Sequence, residues 1–328
     1  MAPLFTGLRL SFGRSAADGP VPFSATGGTI SLSRTGYQVH TFTPATPTTF
    51  VWQANGSVSG VEYLVIGGGG AGGDSFMPFP GYNSGGGGGG AGGMRSGTLT
   101  LPLSGSFNIS VGPGGESSVT SFPQSPTVFA QPGTATSANL PTGTITSEGG
   151  GRGGAGNAGP GGQDPKSYAA DNGASGGGAV RDYFNTAGTG NRVAGTSTPV
   201  PSQGNPGGGY SGPDGHGGGG GGAGGAGGGY DGGAGSTSSI TGSSLTYAGG
   251  GGGGAGASPN SPGSGGPGGG GAGGADASIG SPASPTAPGA NYGAGGGGGG
   301  RGSGFPGPNM LRGGNANPGV VIIAIPIQ

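Results

Sequence analysis

Uninterrupted runs of six glycines, as at 85–90 and 295–300, set the problem this chain must solve. A glycine run has no side chain to bury, and glycine loses more backbone freedom on folding than any other residue. Glycine makes up 98 of 328 residues, about 30 % against a usual share of roughly 7 %. Collagen is excluded, because its glycine recurs at every third position without exception and these runs break that frame. With 29 prolines the imino-acid share is also too low for a triple helix. Only 29 % of residues are hydrophobic, many of them alanine, so one large apolar core and an ordinary enzyme of this length are excluded. Composition by itself favours disorder. Order requires another source of cohesion.

Backbone hydrogen bonds between neighbouring passes of chain can supply it. The state concerned is polyglycine II, a left-handed helix of the polyproline II kind with 3 residues per turn and no internal hydrogen bonds. Every N–H and C=O then points outward and needs a partner, at roughly 0.5–1.5 kcal/mol net per bond. One thread gains nothing, so many must stack. Non-glycine residues should then recur every third place on faces without a neighbour. Arg152, Ala155 and Ala158 do so, as do Ala223 and Ala226, Ser264 and Pro267, and Ala272, Ala275 and Ser278.

Residues 1–66 differ, with sparse glycine and many β formers. Strands are expected at 37–42, 48–52 and 61–66, the last nearly continuously apolar, as in a strand covered on both faces. Further strands are expected at 98–101, 107–111 and 320–325, with 320–325 pairing with 61–66. No helix signal of any length occurs. The expected fold is mostly β and irregular, essentially without α-helix: an antiparallel β-rich domain plus a stack of polyglycine II helices joined by variable loops. The division is 23–66 with 94–148 and 319–328 for the β part, 67–93 with 149–318 for the glycine-rich bundle, and 1–22 as a separate segment.

The opening Phe23–Thr29, the step from Glu62-Tyr63-Leu64-Val65-Ile66 into four glycines, the segment 89–97 and the closing strand 319–326 occur in an order that resembles the glycine-rich domain proteins of bacteriophage virions and their tail-fibre genes. The alternation of glycine runs with inserts also resembles fibre-tip adhesins of T-even-like phages, built as polyglycine II sandwiches. The resemblance implies a virion protein assembled in the host cytoplasm. Residues 1–22, carrying Arg9 and Arg14 and no acid before Asp18, would anchor it to other virion proteins. It further implies contact with a host-surface glycan or outer-membrane protein, and is compatible with a homotrimer or a single asymmetric cap.

Other functions find little support. Net charge is −1, leaving no basic footprint for nucleic acid. The longest apolar stretch, 320–327, falls well short of the roughly 20 residues of a membrane helix. No lysine-rich start precedes a long apolar stretch, which argues against a secretory signal. The absence of cysteine removes disulfides and thiolate chemistry and suits a reducing cytoplasm. The letters 67–72 satisfy a dinucleotide fingerprint, but no helix follows to hold a pyrophosphate. Lys166 follows a proline rather than a glycine, so no phosphate loop forms, and the serine-elbow letters at 173–177 lack a flanking strand and helix. His40 and His216 are the only histidines and no carboxylate cluster accompanies them. No enzyme, cofactor or metal site is expected.

The inserts hold the aromatics of the glycine-rich half. Phe76, Phe79, Tyr82, Tyr168, Tyr230, Tyr247 and Tyr292 are the candidate receptor contacts, since tyrosine gives contact area at small entropy cost. The competing role is sealing the ends of the stack. If each run is one straight pass, inserts 74–84, 163–172, 230–247 and 276–292 share the end far from the β part, and 179–206, 258–262 and 305–312 the near end. A receptor-binding fibre protein is the leading expectation, with a structural head-decoration or spacer protein as the alternative. An ice-binding bundle needs short turns, which inserts as long as 179–206 oppose.

Overall fold

The computed structural model describes residues 23–46, 48–77, 84–117, 130–157, 169–180, 187–192, 194–210, 215–256, 261–275, 291–300 and 309–327. Within them there is no α-helix. Two five-stranded antiparallel sheets pack face to face. The first has the order β1 (Ser24–Thr26), β4 (Thr49–Gln53), β8 (Ser104–Ser110), β9 (Thr136–Leu140) and β10 (Gly143–Ser147). The second has the order β2 (Thr29–Ser31), β3 (Tyr37–Phe42), β15 (Val320–Pro326), β5 (Val58–Ile66) and β7 (Met94–Leu101). The expected pairing of the closing strand is present, with Val320 opposite Ile66 and Ile322 opposite Leu64.

Alternation places the core. Phe50, Trp52, Phe107, Ile109 and Leu140 of the first sheet meet Phe42, Val61, Val65, Leu99, Val321, Ile323 and Ile325 of the second. Phe50 lies 5.0 Å from Phe107 and 5.8 Å from Trp52 between ring centroids. The Trp52 indole N–H donates to the Pro102 carbonyl at 2.8 Å, satisfying its one polar group. Gly27, at φ 109, turns the chain from one sheet to the other against the Phe42 ring and the Thr49 carbonyl.

The second sheet is covered outside as well. A hairpin of β12 (Ser236–Ser238) and β13 (Leu245–Tyr247) brings Ile240 and Tyr247 onto Val39, Leu64, Val320, Ile322 and Ala324. Arg34 clasps this hairpin. Its guanidinium donates to both Glu62 carboxylate oxygens at 2.7 and 2.8 Å and to the Ile240 carbonyl at 3.1 Å, while stacked 3.6 Å over the Tyr37 ring. Cover on both faces explains why 64–66 and 320–325 read as continuous apolar runs.

The glycine runs continue the sandwich strands. β5 leads directly into 67–73, β7 issues from 84–93, β10 leads into 148–154, and β15 is entered from 313–319. Their amides point outward in strict rotation. Gly67, Gly70 and Gly73 donate to Gly93, Gly90 and Gly87; Gly68 and Ala71 donate to Thr134 and Gln131; Gly69 and Gly72 donate to Asn317 and Gly314. Run 84–93 donates to 293–299, 215–221 and 148–154, and accepts from 67–73, 175–178 and 251–254. It is therefore the centre of a hexagonal cell of polyglycine II threads. A Cβ on almost any inner glycine would strike a neighbour's carbonyl; at Gly89 it would meet Gly70.

The edge threads carry the period-three signal. Ser264, Pro267, Ala272 and Ala275 are exposed. Ala155, expected on an open face, is instead buried with Ala71 and Ala130 in a small methyl cluster. Proline obeys the same phase. Among the described residues, Pro113, Pro132, Pro206, Pro262, Pro267 and Pro318 all occupy phases in which no amide donates to a neighbouring thread's carbonyl. Proline lacks the N–H and its fixed φ suits this helix, so it costs nothing there.

Candidate functional site

The bundle has two unlike ends. At the near end the threads join the sandwich or turn tightly against it, as at Gly268 and Gly269, both with positive φ. At the far end three threads become short strands. β6 (Ser75–Met77) pairs in parallel with β11 (Gly156–Asn157) and antiparallel with β14 (Asn309–Leu311), so that Phe76 registers with Asn157 on one side and Met310 on the other.

Buried polar groups pin the feet of the insert that starts there. The Ser75 hydroxyl donates to the Ser84 carbonyl at 2.7 Å. The wholly buried Asp74 accepts from the Gly313 amide at 3.0 Å through Oδ1. Gly85 donates to the Gly215 carbonyl at 2.7 Å, which sets His216 beside the same feet. His216 is buried and its ring centre lies 4.5 Å from that of Tyr230, which is 37 % exposed. The Tyr230 carbonyl accepts from the Gly253 amide at 2.7 Å, and the Asp231 carboxylate accepts from the Ser264 amide at 2.7 Å. A rigid lattice thus holds an exposed tyrosine on a buried histidine at the far end.

The aromatic candidates divide. Phe76 is placed by its backbone in the far-end sheet, and Tyr230 lies at the same end. Phe79, Tyr82 and Tyr168 lie outside the described residues. Tyr247 is 1 % exposed and packs in the second core cluster, with Tyr292 half-buried against it; both are near-end seals rather than displayed rings. Burial, first of all, pushes the Tyr247 phenol above its ordinary range. The expected alternation of inserts therefore needs correction: 179–206, 258–262 and 305–312, expected at the near end, follow threads that reach the far end at 180, 256 and 300, and 309–311 pairs there with β6; 230–247 departs as well. Tyr230 sits at the far end, but 236–247 folds back onto the sandwich. The chain reverses at both ends of 215–222, whose Gly221 and Gly222 sit beside Asn205 and Ala234, instead of crossing once between 207 and 229. The half-buried tail of 276–292 likewise ends near the sandwich, since Gly92 bonds Gly293. The His216–Tyr230 couple was not apparent as a pair, although both residues border glycine runs.

One ion pair ties two threads midway. Arg152 Nε lies 2.9 Å from Asp171 Oδ2, and its guanidinium also donates to the Ala130 carbonyl at 3.1 Å. Burial raises the Asp171 carboxyl above its ordinary range, with Arg152 opposing. Among the described residues no three His, Asp or Glu side chains converge as metal ligands would.

A family model described as a glycine-rich domain matches residues 44–326, from just before β4 to the end of β15. The chain belongs to the glycine-rich domain family. The matched span takes in the threads and the sandwich strands from β4 to the closing strand, with β1, β2 and β3 preceding it. No curated protein matches the chain.

Proposed function

We propose that this glycine-rich domain protein is a bacteriophage virion fibre or receptor-binding protein that displays aromatic loops on a rigid polyglycine II scaffold for attachment to the host surface. The reading is carried by one observation. The described threads ending at 77, 157, 180, 210, 256, 275 and 300 all stop at the end remote from the sandwich, the end that carries Tyr230. The lattice bonds of the described threads run between the threads themselves, so segments attached at that end can change while the rod stays. Phe76, Phe79, Tyr82, Tyr168 and Tyr230 are the proposed contacts. Residues 1–22 are the proposed link to other virion proteins. The receptor would be a surface glycan or an outer-membrane protein.

The test is competition. Purified protein at saturating dose should block adsorption of the phage that carries it, and antibody labelling should find it at a fibre tip. Adsorption that is unaffected, with label on the head, would replace the adhesin by a structural decoration protein.

A further inference from the structure

The chain contains two Asn-Gly pairs, Asn55-Gly56 and Asn172-Gly173. In this dipeptide the glycine nitrogen can attack the asparagine side chain, because no Cβ on the glycine obstructs the approach. The attack needs an asparagine side chain free to fold over the next peptide, and a glycine nitrogen not engaged in a hydrogen bond. It also needs room for the ring that forms.

The two pairs differ in every respect. The Asn172 side chain is tied down: Oδ1 accepts from the Thr189 amide at 2.9 Å and from its hydroxyl at 2.8 Å, and Nδ2 donates to the Thr196 carbonyl at 2.9 Å. The Gly173 amide donates to the Thr189 carbonyl at 3.2 Å, and the residue is buried, with the Gly151 nitrogen closing the space where a Cβ would stand. Asn55 lies in the link from β4 to β5, which crosses between the sheets at the end of the sandwich away from the threads. The buried Ala54 before it is fixed, its amide donating to the Leu103 carbonyl at 2.8 Å. Asn55 and Gly56 themselves are exposed and make no hydrogen bond among the described residues, and open space surrounds Gly56.

We propose that Asn55 is a site of spontaneous modification, where the protein loses a side-chain amide and gains a carboxylate, and that the fold protects Asn172 from the same fate. The Gly56 nitrogen gives its proton to solvent and attacks Asn55 Cγ. The Cγ–Nδ2 bond breaks, and the amide nitrogen takes a proton from water and leaves as ammonia. Water then opens the succinimide ring at either carbonyl, giving aspartate or isoaspartate. The new carboxylate doubles the formal net charge of −1. Isoaspartate also adds a methylene to the main chain, in a link that leads into an irregular start of β5, whose pairing with β7 shifts register between Val58 and Val61. The sandwich therefore accommodates the product. The site lies at the opposite pole from Tyr230, and this inference does not depend on the proposed function.

The test is peptide mapping by mass spectrometry on the full-length protein aged in mildly alkaline buffer. Residue 55 should convert at least about tenfold faster than residue 172, since reaction at a protected site waits for local opening. In concentrated urea the two rates should come together. The aged protein should also yield a more acidic species that carries isoaspartate, and Gly56→Ala, for which there is room, should suppress it while leaving the hydrogen exchange of β15 unchanged. Comparable rates at 55 and 172 in the folded protein would overturn the proposal. So would a residue 55 that stays intact in the folded protein while converting in urea.

Discussion

Phe50 and Gly89 are both wholly buried, and nothing about their surroundings is alike. Phe50 is enclosed by His40, Phe42, Trp52 and Phe107, each a side chain whose shape selects its place. Gly89 is enclosed by backbone: its amide donates to Gly296, its carbonyl accepts from Gly251, and Gly70 closes over its Cα. In the sandwich cohesion comes from apolar area, and the sequence specifies register through side chains. In the bundle cohesion comes from amide pairs, and a glycine thread carries no information about which neighbour it should meet. The missing information is supplied where the threads are rooted. Four of them are direct continuations of β5, β7, β10 and β15, whose pairing is fixed by side chains, so the sandwich sets the starting register of the lattice.

The two regions should therefore break in opposite ways. The largest effect is expected for loss of volume in the sandwich. Phe50→Ala should cost about 3–5 kcal/mol in chemical denaturation, and the lattice amides should lose protection with it because their roots loosen. A cost below 1 kcal/mol, or a lattice unaffected by it, would separate the two regions energetically. Next comes gain of volume in the lattice. Gly89→Ala adds a single methyl, yet should cost about 3 kcal/mol because rigid backbone surrounds it and cannot yield. A neutral result would mean the threads are loosely spaced.

What could be read from the sequence follows the same division. Strand β3 has the bounds its β-branched and aromatic residues suggest, and the pairing of β15 with β5 follows from the nearly continuous apolar runs 61–66 and 320–325. The hairpin of β9 and β10 escaped notice because its buried face is built from Thr136, Ala138 and Leu140, a weak alternation inside a Ser/Thr-rich stretch. The existence of stacked threads was legible from the glycine runs, and the edge threads from Ser264 and Pro267. The neighbour of each inner thread was not legible, since residues 85–90 are chemically identical. Of the aromatics, Tyr247 misled because an insert between two glycine runs has the same composition whether it is displayed or folded back as a seal. Only its partners Val39, Leu64 and Ile322 decide the matter, and they lie far away in sequence.

A smaller effect comes from the histidine of the sandwich. His40 Nδ1 donates to the Gly27 carbonyl at 2.8 Å, and burial, the larger influence, lowers its pKa below the ordinary 6.5. The unfolded chain then takes up the proton first. Stability from this group is complete above about pH 6.5 and is lost as pH falls through that value, with a limiting slope of about 1.4 kcal/mol per pH unit. His40→Asn should flatten the slope between pH 6.5 and 5; an unchanged slope would assign acid sensitivity elsewhere. The Glu62 carboxyl, held below its ordinary range by Arg34, contributes only at lower pH.

The smallest effect is the most discriminating for the lattice. Gly209 is exposed, has open space where a Cβ would stand, and shares the phase of Pro206, whereas the Gly208 amide donates to Gly219 at 2.7 Å. Gly209→Pro should change stability by no more than about 0.5 kcal/mol, while Gly208→Pro removes a bond and crowds a neighbour. Equal penalties would contradict the three-residue rotation of amides.

Residue-resolved amide hydrogen exchange on the intact protein tests the central claim most directly. Every amide from 85 to 93 donates to another segment, so this run, without a single large side chain, should be protected as strongly as β15 in the sandwich core. Gly209, an open thread position, should exchange nearly as fast as an unstructured peptide. Exchange of 85–93 at the rate of Gly209, with β15 protected, would show that backbone pairing does not hold the glycine threads together.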